Sequence, residues 1–180
     1  MGKKVIVVGA TSGIGLEVAR LFAQKDYTVG IAGRRMERLE EIAQSSPGIA
    51  AIQQIDITHK EAPEHLEELI AKLGGMDIYF HSSGIGWQNN LLDTDKEMKT
   101  IETNALGFVR MVTAAYNWFA SNEKMGQIAC ITSIARTRGL GAAPAYSSTK
   151  RMQSHYLECL SQQTRMRHLP IRITDIRPGF

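Results

Sequence analysis

The stretch Lys4-Val5-Ile6-Val7-Val8-Gly9-Ala10-Thr11-Ser12-Gly13-Ile14-Gly15 decides the fold. Its first half is an almost continuous apolar run, the pattern of a central strand covered on both faces. Its second half spaces glycines as Gly-x3-Gly-x-Gly and leads into an amphipathic segment over 13–24. A strand that turns through glycines into a helix presents backbone N–H groups and a helix N-terminus to an anion. Side chains in place of the glycines would hold a pyrophosphate away. No Gly-Lys-Ser/Thr follows, so the loop is not of the nucleoside-triphosphate type. We therefore expect a dinucleotide against Gly9, Thr11, Ser12, Gly13, Ile14 and Gly15.

Working outward, short apolar strands alternate with amphipathic helices. The sequence predicts strands at 4–8, 28–32, 50–55, 76–80, 126–132 and 171–176. Helices are predicted at 13–24, 36–44, 62–73, 96–120 in one or two pieces, and 146–167. Such alternation predicts a doubly wound parallel sheet with helices on both faces, a three-layer α/β/α Rossmann fold. With no linker or repeat, the 180 residues read as one domain.

Hydrophobic residues make up 43% and charged ones 22%, a globular rather than a disordered balance. The net charge of +3 gives no reason to expect nucleic acid, since Lys and Arg are spread out except at Lys3-Lys4 and Arg34-Arg35. Cys130 and Cys159 make no disulfide framework and read as reduced thiols of a cytoplasmic protein. A core strand beginning by residue 5 leaves no room for a signal peptide, and Ile6 stands where myristoylation wants Ser or Thr. No apolar run is long enough for a bilayer, so no membrane partner is expected. No residues stand at zinc-ligand spacing, so no metal is expected.

A second constellation carries the chemistry. Tyr146 and Lys150 lie four residues apart in Ala-Tyr-Ser-Ser-Thr-Lys, and Ser133 lies thirteen residues upstream of Tyr146. On a helix, positions i and i+4 share a face, so a lysine ammonium can lie beneath the tyrosine ring. That charge lowers the cost of ionising a phenol whose ordinary pKa is about 10. The phenol can then act as a general acid/base, with a serine hydroxyl to hold the reacting oxygen. With the glycine loop, these residues describe transfer of hydride and proton between a nicotinamide cofactor and a carbonyl or alcohol.

The second strand ends in Gly33-Arg34-Arg35, where an NAD site usually places a carboxylate for the ribose hydroxyls. A missing carboxylate removes repulsion of a 2′-phosphate, and guanidinium groups bind phosphate in a fork, so Arg34 and Arg35 point to NADP(H) over NAD(H). Asp56 and Ile57 follow the third strand. Asp56 can bond an adenine amino group or cap the next helix, and position leaves both open. His81-Ser82-Ser83-Gly84 follows the fourth strand, where Ser83 and Gly84 let a cofactor approach the backbone; His81 reads as a hydrogen-bonded structural residue.

On these motifs the whole chain resembles the short-chain dehydrogenase/reductase family. The family's Thr-Gly-x3-Gly-x-Gly appears with Val8 in place of Thr; its Asn-Asn-Ala-Gly resembles His81-Ser82-Ser83-Gly84, keeping only the glycine. Its Asn, Ser, Tyr and Lys match Asn104, Ser133, Tyr146 and Lys150, and its Pro-Gly turn matches Pro178-Gly179. The resemblance implies Tyr146 as proton donor/acceptor, and Lys150 tuning it and holding the ribose. It also implies Ser133 orienting the substrate oxygen, Asn104 holding a water, and Pro178-Gly179 beside the cofactor. It further implies a homodimer or homotetramer through the helices near 103–120 and 146–167, which read as apolar over more of their circumference than one sheet contact needs.

The family usually continues past Pro178-Gly179 with a nicotinamide loop, a substrate-covering helix pair and a seventh strand. We therefore expect residues 1–180 to form the dinucleotide-binding and catalytic domain without that substrate segment and last strand. Trp87, Gln88, Asn89 and residues 136–143 are expected to border the substrate pocket. The expected function is NADP(H)-dependent interconversion of a small-molecule carbonyl and alcohol. The alternative is a dinucleotide-binding module without catalysis, a sensor or scaffold, which has no use for the tyrosine–lysine pair. Sugar-nucleotide epimerases usually carry Gly-x2-Gly-x2-Gly, which is not the spacing here.

Overall fold

A computed structural model describes residues 2–179. Six strands, β1 (Lys4–Val8), β2 (Thr28–Gly33), β3 (Ile49–Gln54), β4 (Ile78–His81), β5 (Gly126–Ile131) and β6 (Ile171–Ile176), form one parallel sheet in the order β3-β2-β1-β4-β5-β6. The chain winds outward from β1 to β3, then returns to β4 on β1's other flank. That reversal opens a crevice at the carboxyl ends of β1 and β4, where open α/β sheets bind ligands.

The side-chain alternation of β1 divides the core. Ile6 and Val8 face a layer made by α3 (Ala62–Leu73), α5 (Phe108–Ser121) and α6 (Pro144–Met166). Val5 and Val7 face α1 (Gly13–Ala23) and α2 (Met36–Ser45). All four side chains are fully buried, and each such burial stabilises the fold by roughly 1.5–3 kcal/mol. This is the two-sided cover that the continuous apolar run predicts.

The structure differs from the sequence expectation chiefly around 94–121. Instead of starting at 96, α4 spans Thr94–Ile101, because the Asp93 carboxylate caps it, accepting from the Asp95 and Lys96 amides at 3.0 and 3.3 Å. One π turn, Glu102–Gly107, then separates α4 from α5. Periodicity of 3.6 cannot foresee it, since a π turn inserts a residue without changing the local composition. β4 starts at Ile78 rather than 76. Asp77 is drawn sideways, accepting from the Lys4 amide at 2.7 Å and pairing with Lys124 at 3.1 Å. α6 starts at Pro144, since proline's fixed φ suits a first helical turn.

One expectation about helix faces fails. α6 is not apolar over most of its circumference. It buries Ser147, Thr149, Lys150, Gln153, Ser154 and Thr164 beside Leu157 and Leu160, and exposes Arg151, His155 and Glu158. Among the described residues, no helix is long and apolar enough to cross a membrane.

Candidate active site

The loop after β1 is shaped by two glycines with left-handed φ, Gly9 at +90° and Gly13 at +56°. A Cβ on Gly9 would lie 2.5 Å from the Ser83 nitrogen and 2.7 Å from the Ser82 carbonyl carbon, so the β1 and β4 ends touch backbone to backbone. A Cβ on Gly15 would strike the Gly9 carbonyl oxygen at 2.2 Å. Gly15 therefore lies buried beneath the loop, whereas Gly9, Thr11, Ser12, Gly13 and Ile14 line the cleft. The first turn of α1 holds no acidic residue, so its positive dipole end faces the cleft unneutralised. Open space where a Gly13 Cβ would stand, with a helix N-terminus behind it, is a cradle that a pyrophosphate fits.

At the β2 end, the Arg35 guanidinium donates to the Thr11 hydroxyl at 2.8 Å and reaches the Ser12 hydroxyl at 3.4 Å. Arg34 is exposed, and its carbonyl accepts from Gln54 at 2.9 Å. Among the described residues neither arginine has a carboxylate partner. A Cβ on Gly33 would meet the Thr11 methyl at 2.7 Å, so no side chain fits at the position where a ribose-binding carboxylate would stand.

Asp56 and Ile57 border the same end of the cleft. Asp56 caps no helix. Its carboxylate holds a turn, accepting from the Thr58 amide at 3.0 Å and hydroxyl at 2.7 Å. Burial raises its pKa, but the Thr58 hydrogen bonds, His59 and Arg34 outweigh that and leave it below the usual value.

Across the crevice, Ser83, Gly84, Ser133, Tyr146, Lys150, Pro178 and Gly179 line the same cleft, whose volume is about 990 Å³. The glycine loop and the Ser133, Tyr146 and Lys150 group thus lie more than a hundred positions apart in sequence, and the sheet reversal brings them to one cleft. Lys150 Nζ lies 5.8 Å from the Tyr146 ring centroid and donates to the Ile131 carbonyl at 3.0 Å. Burial brings the Lys150 pKa down to about 8, against opposing effects of Cys130 and Asp175. The Ser133 hydroxyl accepts from the Ala135 amide at 3.0 Å, capping a short 3-10 turn, Ile134–Arg136. Its proton remains available to donate towards the cleft.

Asn104 does not line the cleft. It is fully buried in the π turn, and its amide grips the Ile85 backbone in both directions, at 2.9 and 2.7 Å. Its main-chain carbonyl accepts from Gln153 at 2.7 Å. Asn104 thereby fixes the loop behind Gly84, whose absent Cβ would lie 3.3 Å from Asn104 Oδ1 and 3.5 Å from Lys150 Nζ. Sequence reading passed over Gly86, whose Cβ would sit 2.4 Å from the Tyr146 ring; only the third dimension shows that a side chain there would push the phenol aside. Trp87 and Gln88 line the cleft, as do residues 139–143. Asn89 is buried instead, bonding Asp93 and Glu97, and Arg136 and Arg138 lie off the wall.

His81 also stays behind the wall. It is fully buried, its Nδ1 is hydrogen-bonded to the Tyr79 hydroxyl at 2.8 Å, and its ring meets Phe108 edge-on. Burial, and then the Lys150 charge, push its pKa down to about 3, against a smaller effect of the Ser83 backbone.

A glycine-cradled helix end facing a buried lysine and a tyrosine across a doubly wound sheet is the architecture of a dinucleotide-dependent oxidoreductase. The family model described as short chain dehydrogenase matches residues 3–180, and the chain belongs to that family. An uncharacterized oxidoreductase of Myxococcus xanthus is 30% identical over 99% of this chain and 72% of its own length. One of Listeria innocua is 31% identical over 98% of this chain and 73% of its own. Among solved structures, ElxO with NADP bound is 28% identical, with a TM-score of 0.90 over 100% of this chain and 74% of that one.

The His81 geometry generates a stability prediction. Folded, His81 takes up its proton only near pH 3; unfolded, it does so near pH 6.5. Between those values the unfolded state binds more protons, so folding stability is lost as pH falls through that window. Urea melts at pH 7 and pH 5 should show a smaller loss in His81→Asn than in the unmodified protein. Equal losses would remove His81 as the source.

Proposed function

We propose that this oxidoreductase interconverts a small-molecule carbonyl and alcohol, prefers NADP(H) to NAD(H), and uses Tyr146 as proton donor and acceptor. The carrying observation is the single cleft wall shared by Ser133, Tyr146, Lys150, the glycine cradle and the two arginines. Bound there, the nicotinamide supplies or accepts the hydride. Ser133 donates to the substrate oxygen, placing it against the Tyr146 hydroxyl. Tyr146 gives that oxygen its proton in reduction and takes it back in oxidation. The Lys150 ammonium lies against the Tyr146 ring and donates to the cofactor ribose. Asn104 keeps the loop over Tyr146 in place through Ile85. At the far end, Arg34 and Arg35 line the cleft, Arg35 against Thr11 and Ser12, and we assign both to the 2′-phosphate; the NADP held by the related ElxO accords with this. Residues 1–180 act as a single dinucleotide-binding and catalytic domain, with Pro178 and Gly179 beside the nicotinamide.

We also assign the protein to a homodimer or homotetramer. Its support has narrowed to one helical layer: Met98, Ile101 and Leu106 stand 58%, 39% and 60% exposed along α4 and the π turn. A symmetric contact there would bury on the order of 1,600 Å².

Four outcomes are expected. NADPH should bind at least about tenfold more tightly than NADH, a difference erased by neutralising Arg34 and Arg35, as measured by fluorescence titration. Equal affinities in the unmodified protein would overturn the preference. Tyr146→Phe should abolish turnover of a carbonyl panel while leaving cofactor affinity nearly intact. In the unmodified protein, carbonyl reduction should decline as pH rises through about 8, where Lys150 loses its charge. Substantial Tyr146→Phe activity would move the proton to another group. Light scattering at micromolar concentration should show a dimer or tetramer; monomer alone would defeat the assembly.

A further inference from the structure

Beneath the cleft wall, one carboxylate joins the elements that carry Ser133, Tyr146 and Lys150. The Thr132 hydroxyl donates to Asp175 Oδ1 at 2.5 Å, and Thr132 immediately precedes Ser133. The Ser154 hydroxyl donates to Asp175 Oδ2; Ser154 lies on α6, one turn beyond Lys150 and two beyond Tyr146. Arg177 Nε donates to the same Oδ2 at 2.7 Å, and Arg177 leads into Pro178, whose carbonyl accepts from the Ile134 amide at 3.1 Å. Thr132 and Ser154 are both buried. The register of β5 and β6 sets Asp175 beside Cys130, two residues before Thr132.

We propose that Asp175 is a positioning residue for the reaction: its carboxylate ties the strand end bearing Ser133 to the helix bearing Tyr146 and Lys150, and supplies the negative charge that keeps the buried lysine protonated. The proposal rests on the roles given above to Ser133, Tyr146 and Lys150.

Four titratable groups face Lys150: Tyr146 from α6, His81 from β4, Cys130 from β5 and Asp175 from β6. His81 is neutral above pH about 3. Burial pushes the Cys130 thiol far above its ordinary range, so it too is uncharged where Lys150 titrates. For Asp175, burial acts upward, but hydrogen bonds from Ser154, Thr132 and Arg177 prevail and hold it below the usual value. Of His81, Cys130 and Asp175, Asp175 is therefore the charged one at neutral pH. The burial that depresses Lys150 is opposed in part by a carboxylate one strand away, while the elements bearing Ser133 and Tyr146 are tied together by that carboxylate's bonds.

Asp175→Asn keeps the size and most of the bonding while removing the charge; Ser154→Ala cuts one tie and keeps the charge. In protein with 13C-labelled lysine, the Lys150 signal is assigned by its loss in Lys150→Arg and titrated by NMR. The Asp175→Asn midpoint should fall by about half a pH unit or more. Its kcat for carbonyl reduction should drop about tenfold or more, with cofactor affinity little changed. Ser154→Ala should lower kcat with the Lys150 midpoint in place, a split that general loosening of the fold does not produce. An unmoved midpoint in folded Asp175→Asn overturns the proposal, as does an unchanged kcat in Ser154→Ala. The NMR titration reads no turnover, so it decides the charge role even if Tyr146→Phe proves active and the wider reading fails.

Discussion

The backbone contact between Gly9 and Ser82–Ser83 governs the site. Its Gly9 end tolerates no side chain, and it sets the ends of β1 and β4 against each other where the sheet reverses. From that point the α1 N-terminus is aimed into the crevice, and the loop through Gly84, Ile85 and Gly86 is laid across Tyr146. Hydrophobic burial on both faces keeps the sheet rigid enough to hold these parts; the contact decides where they meet.

Behind the wall the site is polar, and its polar groups are disposed unequally. Lys150 spends one hydrogen on the Ile131 carbonyl, Asn104 commits its amide to Ile85, and Ser133 caps its own turn. Lys150, Asn104 and Ser133 are thus each fixed by backbone groups of the strand ends and the loops that follow them. His81 and Gln153 differ: each leaves one buried polar atom without a protein partner, His81 Nε2 and Gln153 Oε1. Buried polar groups without partners cost stability, and both atoms lie in the layer where α5 and α6 meet the sheet.

The architecture was legible because burial on two faces writes itself as apolar runs, and Val5–Val8 left little choice. The glycine cradle and the tyrosine–lysine spacing were legible because each is local: three glycines on one turn, two side chains on one helical face. The geometry around them was not. The π turn carries no periodic signature, and the role of Gly86 exists only because a loop sixty residues away folds over Tyr146. Asp175 reads in sequence as one acid in an edge strand; two of its three ties, Thr132 and Ser154, come from elements that meet it only in the folded chain. Asp56 shows the opposite limit: local position allowed two readings, and the helix-cap one fails because one carboxylate oxygen holds the turn at Thr58 instead.

The π turn at Glu102–Gly107 has an angular consequence. Each α-helical residue advances the chain by roughly 100°, so one inserted residue displaces every later side chain by about that much around the axis. The stripe begun by Met98 and Ile101 therefore does not run on into the stripe of Phe108, Met111, Val112 and Phe119, which faces the sheet. A single rod of chain serves two directions, outward over its first turns and inward over its last. Winding the same residues as uninterrupted α-helix would bring the two stripes into line and leave the molecule unable to satisfy both.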